Sequence, residues 1–110
     1  MVREADRHWY LEKMGRSAAE EPISVQEVQL PETFPPVLEH YNELQLQQGF
    51  DLRKYAGKNI TVYTYELCGN GKSPLLFVSL YQYKGRIVGG DVHSAAMNGY
   101  MGPIRAMENG

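Results

Sequence analysis

Residues 75–93 read LLFVSLYQYKGRIVGGDVH. Two runs rich in β-branched and aromatic residues, 75–83 and 86–93, flank Lys84-Gly85, a pair suited to the tight primed turn of a two-residue hairpin. The preceding run, NITVYTYEL (59–67), is the best strand signal in the chain, and CGNGKSP (68–74) after it supplies turn chemistry. Together they predict a three-stranded antiparallel meander.

Working outward, ISVQEVQLP (23–31) places Ile23, Val25, Val28 and Leu30 in an extended segment closed by Pro31. The apolar alternation slips between Val25 and Val28, which predicts a bulge or an edge strand. A helix is expected over 33–49, with Thr33 as its cap and Pro35 and Pro36 in the first turn, where no intrahelical N–H is needed. Its inward stripe reads Phe34, Val37, Leu38, Tyr41, Leu44 and Gln48, and Gly49 ends it. Asp51 caps a short turn, DLRKYAG (51–57), that tucks Phe50, Leu52 and Tyr55 under the domain. At the N-terminus, residues 2–14 carry Ala5, Trp9, Tyr10, Leu11 and Met14 at helical spacing before Gly15. Residues 16–22 read as a connector, and 94–110 as one helical turn with an apolar tail fading after Ile104.

The expected fold is therefore α+β: helix, strand, helix, strand, strand, strand, with an antiparallel sheet wrapped on one long helix in cystatin-like order. A chain of 110 residues suits one domain. Within 1–110 it divides into an N-terminal helix (1–15), a core (23–104) and a flexible tail (105–110).

A two-residue turn at Lys84-Gly85 fixes the register of the hairpin. Ser79 then faces Gly90, Leu80 faces Gly89 and Val78 faces Asp91, so Asp91 falls among Leu76, Val78, Leu80 and Ile87. An unpaired carboxylate there is costly. Either Asp91 accepts hydrogen bonds from backbone N–H groups or a tyrosine, or a bulge at Gly89-Gly90 slips the register and turns it outward. The second reading is preferred, with Asp91 outward or capping a turn that begins at Ser94. Both faces of the hairpin are substantially apolar, so the sheet is expected to be covered on both sides or to meet a partner.

Composition narrows the function classes. A formal net charge of −2 and scattered basic residues exclude the basic stripe of a nucleic-acid binder. The apolar run around Phe77 is far shorter than a membrane span needs. Cys68 is the only cysteine, so no internal disulfide exists. Asp91 and His93, two apart in a strand, share a face, yet His8 and His40 have unrelated spacing and no third ligand for a metal presents itself. A thiol triad of Cys68, His93 and Asp91 lacks the electropositive setting a reactive cysteine requires. No metal, cofactor or catalytic residue is assigned; Gly89, Gly90 and Asp91 are read as a structural motif. The chain has eight tyrosines, and Tyr63, Tyr81 and Tyr83, expected on one sheet face, form the candidate interaction surface.

Three stretches, HYNELQLQQGFDLRKYAGK (40–58), ITVYTYEL (60–67) and GRIVGGDVHSAAMNGYMG (85–102), together resemble the bacterial family catalogued as domain of unknown function 4830. The resemblance covers the chain from about Arg7 onward. Where that family usually carries an Asn-Tyr-Pro-like loop, this chain has CGNGKSP. The resemblance implies an extracytoplasmic protein that is membrane-anchored at full length, and it implies no reaction. The expected function is a non-catalytic binding domain with a protein or peptide partner, or a homodimer through a sheet face or edge. Alternatives are a peptidase or hydrolase inhibitor, from the cystatin-like order, and a small enzyme using Asp91 and His93.

Overall fold

The computed structural model describes residues 4–67, 76–94 and 101–104. Helix α1 (Glu4–Lys13) is followed by strand β1 (Ser24–Gln29), helix α2 (Pro36–Gln47), a 3₁₀ turn (Leu52–Tyr55), and strands β2 (Asn59–Glu66), β3 (Leu76–Tyr83), β4 (Arg86–Ser94) and β5 (Met101–Gly102). The strands form one antiparallel sheet in the order β1-β2-β3-β4-β5. The fold is α+β, as expected, with both expected helices present, but they cover opposite faces of the sheet, which is therefore not wrapped on one long helix. Strand β5 was not foreseen. Cys68, the CGNGKSP loop, the helical turn expected after Ser94, Tyr100 and the tail 105–110 lie outside the described residues.

The meander forms where the β-branched and aromatic runs predict it. Lys84 and Gly85 both take positive φ, 46° and 77°, the conformation of a primed turn whose twist matches the flanking strands. β1 is an edge strand, as the broken alternation of ISVQEVQLP foretells. Asp51 accepts the Arg53 N–H at 3.0 Å and so caps the 3₁₀ turn. For α2 the cap differs from expectation: Pro35 precedes the helix with no side-chain bond, and Thr33 takes no part.

Each sheet face has its own core. On one, α1 lays Leu11 over Tyr65, Val78, Leu80 and Val92, with Ile104 joining from beyond β5. On the other, α2 and the 3₁₀ turn bring Leu38, Tyr41 and Leu52 onto Ile60, Val62, Val88 and Tyr81. Burial of whole Leu, Ile and Val side chains stabilises by roughly 1.5–3 kcal/mol each. The two apolar faces are thus both covered from within the chain. Trp9, which shares the helical spacing of Leu11, instead points away from the sheet and is 62% exposed. With Arg7 and Leu11 turned inward, Trp9 lies about 200° round the helix from Arg7.

The stripe that α2 turns inward is mixed. Leu38 and Tyr41, with Phe34 just before the helix, pack toward the sheet as expected, but the fully buried positions are the polar Asn42 and Gln45, and Val37 is 80% exposed. The reason lies in what α2 meets. Asn42 Oδ1 accepts the Leu52 N–H at 2.8 Å; Gln45 Oε1 accepts the Gly90 N–H at 2.8 Å. Gln48 Nε2 donates to the Gly90 carbonyl at 2.9 Å, and Gln48 Oε1 accepts the Ile104 N–H at 2.8 Å. Leaving such backbone groups buried and unpaired costs about 1–3 kcal/mol each, more in sum than the burial of one valine returns.

Candidate functional site

The register places the residues of GRIVGGDVH. Tyr83 pairs with Arg86 and Gln82 with Ile87, as the turn dictates, but Tyr81 then pairs with Gly89. One extra residue, Val88, has been inserted in β4. The irregularity therefore sits before the glycine pair, not on it. Val88 is buried in the α2-side core. Beyond this bulge Asp91 pairs with Ser79 instead of Val78, which moves it from the α1 face to the α2 face.

That shift does not bring Asp91 to solvent, as the preferred reading had it. Asp91 is 4% exposed, and the turn it was expected to cap lies outside the described residues. Tyr41 Oη donates to Asp91 Oδ1 at 2.5 Å, and His93 Nδ1 lies 2.8 Å from Oδ2. A tyrosine satisfying a buried carboxylate is the other alternative that the sequence left open. Burial pushes the Tyr41 hydroxyl far above its ordinary range, and the charge of Asp91 adds to the effect. Tyr81, whose ring centroid is 5.9 Å from that of Tyr41, is pushed up by burial and by the same charge. Both hydroxyls stay protonated at neutral pH.

The glycines have separate purposes. Gly90 has φ +157°, and a Cβ there would lie 2.3 Å from the Ser79 carbonyl oxygen and 2.9 Å from Ile104 Cδ1. Only glycine fits. A Cβ on Gly89 would come within 3.0 Å of Gln45 Oε1 and of Leu52 Cδ2, side chains that can yield a little. The pair lets α2 approach β4 closely enough for Gln45 and Gln48 to reach the backbone of Gly90. Among the described residues Gln45 Nε2 is a buried side-chain donor without a partner.

His93 is held by Asp91 on one side and stacks at a tilt on Phe77, centroids 5.9 Å apart. In the neutral tautomer whose Nδ1–H donates to Asp91, Nε2 is an acceptor, the arrangement that general-base chemistry uses. Ser79 Oγ, across from Asp91, is bonded to Thr64 Oγ1 at 3.1 Å. Among the described residues no three His, Cys, Asp or Glu side chains gather to hold a metal ion.

The tyrosines do not form one surface. In the β2–β3 register Tyr63 pairs with Leu80 while Tyr81 pairs with Val62, so Tyr63 faces α1 and Tyr81 faces α2. The Arg7 guanidinium lies 3.6 Å from the Tyr63 ring centroid, and Arg7 Nε donates to Tyr65 Oη at 2.9 Å. Tyr83 meets Tyr55 edge-on at 5.3 Å. These rings pack between sheet and helix.

What the helices leave uncovered is a sheet edge. β1 bonds β2 on one side and pairs with no described strand on the other. Leu67 N bonds Leu76 O, so odd residues of β2 turn their backbone groups toward β3 and even ones toward β1. Their partners Ser24, Gln26 and Val28 therefore face inward, and Val25 and Glu27 present N–H and C=O to the open edge. Val25 is 55% exposed, and Ile23, just before the strand, 57%. The broken pattern of ISVQEVQLP was the signal for this edge.

Residues 10–92 match the family model described as Domain of unknown function (DUF4830). The chain belongs to the DUF4830 family. The matched span runs from the second half of α1 through β1, α2 and the glycine pair to Val92, and so takes in both the open edge and Asp91. No curated protein and no solved structure matches the chain. Among the described residues of this DUF4830 domain, no helix is long and apolar enough to cross a membrane.

Proposed function

We propose that this DUF4830 domain is a non-catalytic interaction module of an anchored, extracytoplasmic bacterial protein, and that it binds by accepting an extended segment of a partner as a sixth strand on β1. The observation that carries this reading is the six-residue edge of β1, whose Val25 and Glu27 backbone groups pair with no described strand. An exposed edge is a ready template for strand addition: the main-chain bonds give affinity and alternate side chains give specificity. Tyr63, Tyr81 and Tyr83 act in this reading as packing that stiffens the sheet behind the edge. The cystatin-like wrap enters as a likeness of arrangement, with α2 crossing between β1 and β2. The inhibitor alternative is then the special case in which the added strand belongs to a peptidase or other hydrolase.

The test is selection from a random peptide library on the wild-type domain, with Glu27→Pro as counter-target. The Glu27 N–H faces away from β2, so proline there removes no internal ladder bond and blocks only the incoming strand. Selected peptides should bind the wild type and lose the Glu27→Pro variant. Peptides that bind both alike would overturn the proposal.

A second reading, a small enzyme using Asp91 and His93, is favoured by the 2.8 Å bond that orients the imidazole. It requires that His93→Gln abolish a turnover measured on a hydrolase substrate panel while the melting curve stays in place. A panel on which wild type and His93→Gln are equally inert removes it.

A further inference from the structure

The charge along the segment that carries β1 is one-sided. Between Ser17 and Leu52 the chain has seven acidic residues and no lysine or arginine, and all eleven basic residues lie outside that span. Three of the seven acids have partners: Glu39 pairs with Arg53, Glu43 lies 3.8 Å from His40, and Asp51 accepts from Asn42 at 3.0 Å. The other four are Glu20 and Glu21 before β1, Glu27 within it and Glu32 after it. All four are exposed, and none forms an ion pair among the described residues.

Side chains add a second constraint. Val25 and Glu27, two apart, lie on the same face of β1 and flank its outward-facing backbone groups. A strand laid antiparallel on this edge sets its residues directly opposite these, about 4.5–5.5 Å away between Cβ atoms. Opposite Glu27 an acidic residue is repelled and a basic one attracted; opposite Val25 an apolar residue completes the α1-side surface. The flanking Glu20, Glu21 and Glu32 extend the negative field beyond both ends of the strand.

From this we infer that the occupant of the β1 edge is an extended, basic polypeptide segment of another protein, with a lysine or arginine opposite Glu27 and, two residues on, an apolar side chain opposite Val25. The inference rests on the strand-addition reading above and names the partner's chemistry. Charge complementarity of this kind steers encounter and fixes register, while the backbone ladder holds the complex.

The experiment uses three ten-residue peptides of alternating pattern, alike in their apolar positions and differing only in whether Lys, Gln or Glu occupies the positions facing Glu27 and the flanks. Each is titrated by fluorescence polarisation against four chains. They are the wild type, Glu27→Pro, Val25→Lys, and the quadruple Glu20→Gln, Glu21→Gln, Glu27→Gln, Glu32→Gln variant. The Lys peptide should bind the wild type at least about tenfold more tightly than the Gln peptide, and the Glu peptide more weakly still. That preference should shrink at least about fivefold between 50 and 500 mM salt, and should vanish in the quadruple variant. Glu27→Pro should abolish binding, and Val25→Lys, which keeps every backbone donor, should repel the Lys peptide. Equal binding of the Lys and Gln peptides, lost in Glu27→Pro, overturns the basic partner and leaves strand addition standing. Lys-peptide binding that survives Glu27→Pro, or no binding by any of the three, overturns both.

Discussion

The two edges of this sheet have been treated in opposite ways. Beyond β4 the described residues supply a two-residue β5, paired at Val92 and His93, which stops short of the backbone of Gly90. Side chains complete the edge: Gln45 and Gln48 from α2 take both polar groups of Gly90, and Gln48 ties them to Ile104. Along β1 no comparable side chain arrives among the described residues, and Val25 and Glu27 keep their outward groups. An edge can be closed by a few polar side chains on the inner face of a helix. With one edge closed by side chains, the open one is where the proposed partner strand would add.

The largest effect expected from breaking this contrast belongs to the closed edge. Gly90→Ala would force a Cβ against the Ser79 carbonyl at a φ that L-residues avoid, and should destabilise the domain by about 3 kcal/mol or more. In a thermal melt this is a fall of roughly 12 °C or more. A variant that melts within a few degrees of wild type would mean that the close approach of α2 and β3 to Gly90 is not what holds this edge.

Next in size is Tyr41→Phe, which strips Asp91 of its 2.5 Å donor and should cost about 1.5–3 kcal/mol in chemical denaturation. The same residue sets an alkaline limit. Burial holds the Tyr41 hydroxyl above its unfolded value, so the folded state keeps a proton that the unfolded chain begins to lose near pH 10. Its stability is therefore intact below about pH 10 and falls above it, by about 1.4 kcal/mol per pH unit for each such group. Tyr81 is shifted in the same direction. The decline of unfolding free energy between pH 10 and 11 should be shallower in Tyr41→Phe; an unchanged slope would contradict the assignment.

Smallest is the effect on the open edge. Val25→Lys changes a side chain that is more than half exposed, and its unfolding free energy should stay within about 0.5 kcal/mol of wild type. A loss above about 1.5 kcal/mol would show that Val25 packs within the domain and does not await a partner.

Much of the closed half of the sheet was legible in the sequence, because β-branched runs and a Lys-Gly turn are local signals. The turn set Tyr83 against Arg86 and Gln82 against Ile87, and there local reading stopped. The insertion of Val88 is decided by tertiary packing, since its burial with Leu52 and Ile60 depends on a 3₁₀ turn over thirty residues earlier. Every residue after it changed face, Asp91 included. The polar residues on the inner face of α2 were illegible for a related reason. Nothing in HYNELQLQQ tells that Asn42 and Gln45 will find unpaired backbone at Leu52 and Gly90, so apolar periodicity pointed to Val37 instead. The same rule misplaced Trp9. The family resemblance, by contrast, was carried by short stretches in order, which survive a register shift untouched.

Residue-resolved amide hydrogen exchange in dilute solution tests the contrast most directly, because it reads both edges in one sample. Gly90 N–H, buried against Gln45 Oε1, should exchange only with global opening, together with the amides of β2 and β3. Val25 and Glu27 N–H should exchange at least about a hundredfold faster than their inward neighbours Gln26 and Val28, and should gain protection when a strand-adding peptide is present. Glu27 N–H protected as strongly as Gly90 N–H in the free domain would contradict an open β1 edge, and with it the proposed function.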